Sequence, residues 1–389
     1  MNLKALSLYD EFFICAYCAY CVDNEAACPT FRSIKHEIAT GRGKMITARY
    51  LAKGLLSEEQ GLAALSEGLF QCTFCGACSE VCLVDIPLTE VYSELKALVQ
   101  KYLPEGTKRS FRHLIQSNNI YNLDQEDRNF WSVDVEEIYE KWVNKKADIG
   151  YFIGCVASYS SRAASAPVSI LRLSQKASNP ISIFSPDEYC CGNPFLLGGN
   201  FEEARRIARH NIYLINQLGI QTLIVSCAGC YRVFTKEYPK LLDFNLPFKV
   251  ITHMEYIKNL IEVKKLEPIN YKPIKVTFKD PCELGRHCGV YEIARELIAL
   301  LPGVEYREME NNRNKALCCG AGGLLLANYP IMAEDIAKRL IKQMEDINIS
   351  LCLNSCPSCQ INIDNTLRKM KSPIKSVDIT DLVRDRMIE

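Results

Sequence analysis

Excess charge and histidine are both scarce in this sequence of 389 residues. The 46 Lys and Arg match the 46 Asp and Glu, so the formal net charge is zero. A chain without excess positive charge is not drawn to nucleic acid or to an anionic membrane surface, and we expect no nucleic-acid partner. The five histidines offer no obvious catalytic apparatus.

A long apolar run is also missing. Residues 12–22 are apolar, but Asp10 and Glu11 precede them where an export signal needs positive charge, and a cysteine recurs there at every third position. No other segment is long enough to span a bilayer. We therefore expect a cytoplasmic protein that meets a membrane peripherally, through a partner, if at all.

Cysteine is what the sequence has in excess, with 20 in 389 residues. The cysteines fall into tight groups separated by long stretches without any. A small secreted disulfide scaffold would be much shorter and more evenly crosslinked. The pattern therefore indicates metal or redox chemistry in a reducing compartment.

The first two groups each have three cysteines at i, i+3 spacing and a fourth farther along. In two-cluster ferredoxin-type domains, the fourth cysteine of each run ligates the other cluster. The spacing thus predicts two cubane [4Fe–4S] clusters, one on Cys15, Cys18, Cys21 and Cys82, the other on Cys72, Cys75, Cys78 and Cys28. Two zinc sites are the alternative, which the runs of three thiolates disfavour because zinc sites generally use two separated pairs.

The remaining groups are one pattern written twice. The first set is Cys155, Cys190, Cys191, Cys227 and Cys230, and the second is Cys282, Cys318, Cys319, Cys356 and Cys359. Corresponding members lie 127 to 129 residues apart, which indicates a duplicated module of roughly 120 residues. Cys288 and Cys352 are left over, and we interpret both as core thiols.

Both modules have an α/β pattern. Short β-prone runs at 149–154 and 274–279 lead to the first cysteine of each set, and runs at 222–226 and 349–354 lead into the C-x2-C pairs. Amphipathic helical stretches lie between them, the first with Asn200 as its N-cap. This alternation predicts short parallel sheets, with the cysteines just past the carboxyl ends of strands, where open α/β sheets bind ligands.

The predicted organisation has four parts. Residues 1–102 show helical periodicity without convincing strands, and 103–148 form a polar segment whose two tryptophans suggest that it packs on the body. The fold class is thus α/β with an N-terminal, mainly α-helical ferredoxin-type domain. The parts are the two-cluster domain at 1–102, a connecting segment at 103–148, the first module at 149–270 and the second at 271–389.

The spacings C-x34-C-C-G-x34-C-x2-C and C-x35-C-C-G-x35-C-x2-C resemble the duplicated CCG domain found in the B subunit of heterodisulfide reductase. With a two-cluster ferredoxin domain in front, the chain resembles the D subunit of heterodisulfide reductase. The iron–sulfur subunits of glycolate and lactate oxidases have a similar architecture. The resemblance implies a non-cubane [4Fe–4S] cluster on each five-cysteine set, although one module could hold zinc instead.

The resemblance also implies a function. In heterodisulfide reductase, two such clusters face each other and split a disulfide by binding its sulfurs to iron. We therefore expect an oxidoreductase subunit whose ten CCG cysteines act on a small disulfide or thiol, with a flavoprotein or a membrane cytochrome or quinone subunit as redox partner. The alternative is an electron-transfer subunit of a flavin-dependent glycolate or lactate dehydrogenase.

Four other features receive simpler interpretations. The GRGK sequence at 41–44 lacks the spacing of a phosphate loop and predicts a surface turn. The GAGG sequence at 320–323 predicts a tight turn near a cluster. We interpret His287 as packed or solvent-facing. Glu283, which follows Cys282 where relatives often carry His, weakens the assignment of a proton donor there.

Overall fold

The computed structural model describes residues 3–23 and 28–388, and its N-terminal part is built from helices. These are α1 (Glu11–Ile14), α2 (Tyr20–Asp23), α3 (Pro29–Ile34), α4 (Gly41–Ala52), α5 (Glu58–Phe70), α6 (Ala77–Glu80) and α7 (Leu88–Leu98). Single 3₁₀ turns lie at Leu3–Ala5, Glu37–Ala39 and Gln100–Tyr102. The two longest helices begin at hydroxyl N-caps, Thr40 for α4 and Ser57 for α5, which accept hydrogen bonds from first-turn amides.

The connecting segment is helical and packs on the body as expected. It contains α8 (Glu105–Ser117), a long 3₁₀ stretch (Gln125–Val135) and α9 (Glu136–Trp142). Trp131 and Trp142 are 5% and 8% exposed and belong to a core shared with both modules.

The first module is a four-stranded parallel sheet in the order β2-β1-β3-β4. Its strands are β1 (Ile149–Phe152), β2 (Ser182–Ile183), β3 (Thr222–Val225) and β4 (Lys249–Thr252). Its helices are α10 (Cys155–Tyr159), α11 (Ser165–Lys176), α12 (Asn193–Gly198), α13 (Phe201–Gln217), α14 (Ala228–Arg232), α15 (Tyr238–Leu242) and α16 (His253–Glu262). A π-helical turn, Val233–Glu237, joins α14 to α15.

The second module repeats this topology in the order β6-β5-β7-β8. Its strands are β5 (Ile274–Phe278), β6 (Val304–Tyr306), β7 (Leu351–Asn354) and β8 (Lys375–Asp378). Its helices are α17 (Ile293–Ala299), α18 (Leu325–Asn328), α19 (Pro330–Asp346), α20 (Pro357–Met370) and α21 (Ile379–Met387), and a 3₁₀ turn lies at Arg313–Lys315. The shared strand order agrees with a duplicated module.

These elements confirm the predicted fold class. The four predicted strands form the two centres of the sheets, where strands buried on both faces have apolar sequences. Asn200 caps α13 by accepting a hydrogen bond from Glu203 N at 3.3 Å. The second amphipathic stretch forms α19, whose apolar positions at helical spacing from Ala333 to Met344 are buried.

The prediction for GRGK was wrong, because these residues begin α4 instead of forming a surface turn. Gly43 lies so close to the preceding 3₁₀ turn that a Cβ would come within 2.0 Å of Glu37 O. Lys44 is 1% exposed, and its ammonium donates to the carbonyls of Ala39 and Thr40. Absence of a side chain at position 43 therefore allows a helix where composition indicates a turn.

The helical N-terminal part and the first module share a core. Phe12, Leu65 and Tyr92 of the former belong to one apolar cluster with Phe195 and Ile207 of the latter. A second core joins the connecting segment to both sheets. Along the described chain, we find no helix with both the length and the apolar character that a membrane span requires.

Candidate functional site

Three cavities collect seventeen of the eighteen cysteines predicted as cluster ligands. The cavity farthest toward the N-terminus is lined by the quartet predicted for the first cubane, Cys15, Cys18, Cys21 and Cys82. The loop between α1 and α2 wraps around it with Tyr17 and Ala19 at positive φ, 57° and 68°. Cys18 is exposed, so this cavity lies at the surface.

A second, separate cavity is lined by the other quartet, Cys28, Cys72, Cys75 and Cys78. Cys28 is the N-cap of α3, where its Sγ accepts from Phe31 N at 3.5 Å. Gly76, at φ 77°, turns the chain from Cys75 into α6, which carries Cys78. The structure therefore gathers the cysteines into the two quartets expected from the ferredoxin pattern.

A buried cation lies beside both quartets. The charge of Lys44 acts on Cys21 of the first quartet and on Cys28 and Cys78 of the second. Its ammonium also lies 4.9 Å from the centre of the Tyr92 ring, a cation–π contact. Sequence reasoning missed this residue because its charge and the neighbouring glycines suggested exposure.

The third cavity, about 370 Å³, lies between the two CCG modules. Nine of the ten module cysteines line it: Cys155, Cys190, Cys191, Cys227, Cys230, Cys282, Cys319, Cys356 and Cys359. The two C-x2-C loops meet across it, because Ala228 N donates to Ser355 O at 3.2 Å and the thiol of Cys227 lies beside that of Cys356. The duplicated sites thus face each other.

The parallel sheets explain this arrangement. Cys155 and Cys227 follow β1 and β3, and Cys282 and Cys356 follow β5 and β7. Each CCG sequence follows an edge strand, β2 in the first module and β6 in the second. These two strands were not predicted from the sequence because they are short. All these loops therefore leave the carboxyl edges of the two sheets, as predicted.

The donor set fits a group of several positive metal ions. None of the 20 cysteines forms a disulfide, and each five-cysteine set is buried or nearly so. Burial raises the pKa of Cys282 to about 12, and the hydrogen bond to Cys319 followed by burial raises that of Cys318 to about 12. Because the pKa of every thiol in this second set is raised, its five members need a strong positive charge to ionise together, which bound metal would supply.

Family comparisons agree with these three sites. A family model described as a cysteine-rich domain, CCG, matches residues 149–235 and 276–364. A model described as a 4Fe-4S dicluster domain matches residues 11–86. These matches support iron–sulfur clusters as the cofactors.

Several curated proteins match nearly the whole chain. The D subunit of the dihydromethanophenazine:CoB–CoM heterodisulfide reductase of Methanosarcina barkeri is 32% identical, over 99% of this chain and 96% of its own. The chain belongs to the family of heterodisulfide reductase D subunits. Another relative is the B subunit of the fumarate reductase (CoM/CoB) of Methanothermobacter marburgensis, which is 27% identical over 95% of this chain and 71% of its own. The probable iron–sulfur-binding oxidoreductase FadF of Bacillus subtilis is 26% identical over 83% of this chain and 47% of its own.

In this heterodisulfide reductase-like chain, the remaining module cysteine joins the two cluster regions. The thiol of Cys318 lies beside that of Cys75, a member of the second quartet, and both belong to one buried group. His287 Nε2 lies 2.9 Å from Phe74 O, and Arg286 Nε donates to Cys75 O at 2.6 Å. His287 is therefore packed at the contact between the dicluster domain and the second module.

The GAGG sequence lies at the same contact of the heterodisulfide reductase-like chain. A Cβ on Gly323, which has φ 63°, would lie 2.1 Å from Cys72 O, and one on Gly322 would lie 2.4 Å from Thr73 O. Both glycines thus allow the backbones to meet, and the expected tight turn is present, with Leu325 N donating to Gly322 O at 2.9 Å beside Cys72 of the second quartet. Close backbone approach is a common reason for glycine at such a position.

Two ionic arrangements surround the central cavity. Glu283 lines it and accepts from Arg232 Nη1 at 2.8 Å. Burial opposes ionisation of Glu283, but the adjacent Arg232 outweighs it and lowers the pKa below 4.5. Glu283 is therefore held as a carboxylate, in line with the sequence argument against a proton donor there.

The second arrangement involves Lys279, which is 1% exposed and whose Nζ lies 3.5 Å from Cys359 Sγ. Burial lowers the pKa of Lys279, but the negative charges of Cys359 and the other thiols of the second set outweigh it, so the pKa lies well above 10.5. This residue was not identified from the sequence. The sequence does show a lysine at the end of an apolar strand, three positions before Cys282, which could have indicated a buried cation beside the second cysteine set.

The connecting segment contributes to the cavity, which the sequence analysis did not anticipate. Arg109, Ser110 and His113 of α8, with Tyr121, line one side. His113 Nδ1 lies 2.9 Å from Ile120 O, which fixes the ring. The two leftover cysteines lie elsewhere. Cys352 is fully buried in β7, as expected, whereas Cys288 is only partly buried, near Thr235, and is not the core thiol that the sequence indicated.

Proposed function

We propose that this chain is the disulfide-acting subunit of a heterodisulfide reductase-like complex, with the central cavity as its reaction site. The observation that carries the proposal is that nine of the ten CCG cysteines, from both modules, line one cavity. A relay alone has no need for two opposed thiolate sets around an open space. A reaction site in which a substrate lies between two metal sites requires that arrangement.

The eighteen cysteines are proposed as the ligands of four clusters. Each quartet in the dicluster domain would hold a cubane, and each five-cysteine set would hold a non-cubane [4Fe–4S] cluster. When bound, these clusters supply one-electron transfer and iron sites for sulfur. The separate cavities of the quartets and the shared cavity of the modules support this division.

The order of the cysteine sites along the molecule supports a direction of electron transfer. The first quartet includes the exposed Cys18, the second lies deeper, and its Cys75 contacts Cys318 of the second module. Electrons from a partner would thus enter at the first quartet, pass to the second and reach the CCG modules through the Cys75–Cys318 contact. Reduction of a disulfide consumes two electrons and two protons and releases two thiols, so the relay must act twice in each turnover.

The cavity lining suits a small molecule with a polar end. Ile120, Leu324 and Leu326 provide apolar surface, while Arg109 and His113 of α8 provide polar groups on the same side. These side chains would hold the body of a disulfide while its sulfurs face the two cysteine sets. Relatives are named for action on a CoB–CoM heterodisulfide, and a heterodisulfide of this kind is the proposed substrate class.

The partner is proposed to dock over the first quartet. Exposed apolar side chains flank its cysteines in sequence: Phe13 and Ile14 precede Cys15, Tyr20 precedes Cys21, and Leu83 and Val84 follow Cys82, with exposures of 37% to 62%. An apolar rim beside a redox centre suits a protein partner. A flavoprotein or a membrane cytochrome or quinone subunit would fit the relatives, which are themselves subunits of larger enzymes.

The test is turnover of a thiol–disulfide pair by anaerobically isolated, iron-loaded protein. We expect dithionite-reduced protein to reduce the CoB–CoM heterodisulfide, and expect a paramagnetic signal of the oxidised protein to change when the corresponding thiols are added. Absence of both effects in protein with about sixteen irons per chain, the content of four four-iron clusters, would reject the proposal. Zinc in place of iron in one module would reject the four-cluster part.

A second candidate is a relay without a disulfide step. The specific observation in its favour is the likeness to FadF and to the EtfAB:quinone oxidoreductase of Syntrophomonas wolfei, 26% identical over 76% of this chain and 43% of its own. A flavoprotein that copurifies and reduces the clusters, in protein inert toward every disulfide, would favour this candidate. The hydroxyacid dehydrogenase partnership expected from sequence is one form of it.

A further inference from the structure

The duplicated modules differ in charge at one matched, buried position. Lys279 directly follows β5 and precedes Cys282 by three residues, and the same offset from Cys155 gives Phe152. The strand registers agree: Phe278 pairs with Leu353, as Tyr151 pairs with Ile224 in the first module. Lys279 and Phe152 are each 1% exposed. One module thus buries an ammonium where the other buries a ring.

The ammonium of Lys279 faces thiols. Its Nζ lies 3.5 Å from Cys359 Sγ, and Cys319, Cys282 and Cys318 contribute the other charges that act on it. The adjacent Asp280 is already engaged, because Arg295 donates to both of its carboxylate oxygens at 2.9 and 2.8 Å. The charge of Lys279 is therefore directed at the second cysteine set.

The first module has no such contact at Phe152. That ring packs edge to face on Phe234, with centroids 4.9 Å apart. The charge of Arg128 acts on Cys155 of the first set, but Arg128 is paired with the buried Glu188. The two sets therefore differ in net charge although their cysteine patterns match.

Charge and hydrogen bonds at the sulfurs are among the main determinants of iron–sulfur reduction potentials. A reduced cluster carries one more negative charge, and a cation in a water-poor site stabilises that charge strongly. Groups outside the ligand set commonly adjust a metal site in this way. A buried lysine on one of two matched sites thus makes the two clusters unequal.

We propose that Lys279 is a positioning residue that makes the cluster of the second module the more easily reduced of the two. This inference rests on the proposed function, since it needs a cluster in that module. In the one-electron step, the second cubane is oxidised and the second-module cluster is reduced. Cys75 and Cys318, which would belong to the donor and acceptor ligand sets, are in contact, so the first electron of each pair would be held in the second module until the second arrives.

The experiment is an anaerobic redox titration of the whole iron-loaded chain, followed by electron paramagnetic resonance. Lys279→Met removes the charge and the donor, Lys279→Gln removes the charge but keeps a donor, and Lys279→Arg keeps both. The matched control is Lys275→Met on the same strand, about 13 Å away at 3.3 Å per residue. Iron and zinc are measured on every sample.

We expect one CCG signal to lose midpoint potential in Lys279→Met and Lys279→Gln, while the cubane signals and the other CCG signal keep theirs. Lys279→Arg and Lys275→Met should match the wild type. Unchanged potentials in Lys279→Gln would overturn the inference, because the charge would then have no effect. Loss of about four irons from both neutral variants, with full iron content in Lys279→Arg, would also overturn the inference. The charge of Lys279 would then be needed to retain the cluster and not to set its potential. Zinc in the wild-type second module would instead reject the proposed function.

Discussion

The buried pair between Arg128 and Glu188 should control the stability of the first CCG module. The two side chains are 0% and 1% exposed. Glu188 also accepts from Ile153 N at 2.9 Å and Gly154 N at 2.8 Å, directly before Cys155, and lies two residues before Cys190. One carboxylate therefore ties together the loops that carry three of the five cysteines of the first set.

Removal of one partner leaves a buried charge without compensation. Arg128→Met should cost about 3–5 kcal/mol for this reason, a large part of the roughly 5–15 kcal/mol that stabilises a typical domain. At a denaturant slope of about 2 kcal/mol per molar urea, the unfolding midpoint should fall by about 2 M. Iron should fall by about four per chain if the loops separate.

The assay is urea unfolding followed by circular dichroism, with iron analysis of the native protein. Arg172→Met is the control, because Arg172 donates to Asp134 O at 3.2 Å near the surface, and its loss should change stability by about 0.5 kcal/mol or less. The double variant Arg128→Met/Glu188→Gln should be more stable than Arg128→Met alone, because it leaves no buried charge. A shift no larger than that of the control, or a double variant equal to the sum of the singles, would refute the reasoning.

Three further outcomes follow from other contacts. Gly323→Val should press its side chain against Cys72 O and slow electron transfer from the cubanes to the CCG modules, as measured by stopped-flow reduction. The control Gly289→Ala, at φ 74° with nothing within 4 Å of the added Cβ, should leave this rate unchanged. Equal rates in the two variants would contradict the proposed contact. Burial raises the pKa of Asp381, which accepts from Ser165 and Ser169 across the module interface, from 3.8 to about 6. The contribution of this carboxyl to stability should therefore be fully present below pH 3.8 and fall by up to roughly 3 kcal/mol as the pH rises through 6. Asp381→Asn should remove this contribution from the pH profile of the urea midpoints. Cys352→Ala should keep all its iron while Cys356→Ser loses about four, and equal losses would contradict the ligand assignment.

The sequence predicted the fold class through features that depend on local pattern. Apolar runs marked β1, β3, β5 and β7, and Asn200 marked the start of α13. The edge strand β2 escaped notice, because it has two residues and its burial comes from neighbours distant in sequence.

Cysteine spacing likewise grouped the thiols, because a loop of fixed length holds its ligands at fixed offsets. It carried no information about contacts made through the fold. The Cys75–Cys318 contact joins residues from different domains, and α8 reaches the central cavity from a segment interpreted as a connection. Lys44 was misjudged since its burial depends on the close approach at Gly43, which composition does not reveal.

The most direct test of the central claim is reoxidation of the reduced chain by a disulfide. Anaerobic protein with its full iron content is reduced, freed of reductant and mixed with the CoB–CoM heterodisulfide while its cluster absorbance and the released thiols are measured. The account predicts that the absorbance returns to the oxidised level and that one disulfide is cleaved to two thiols for every two electrons delivered. Clusters that stay reduced with the disulfide, yet are reoxidised at once by a quinone or flavoprotein, would contradict it.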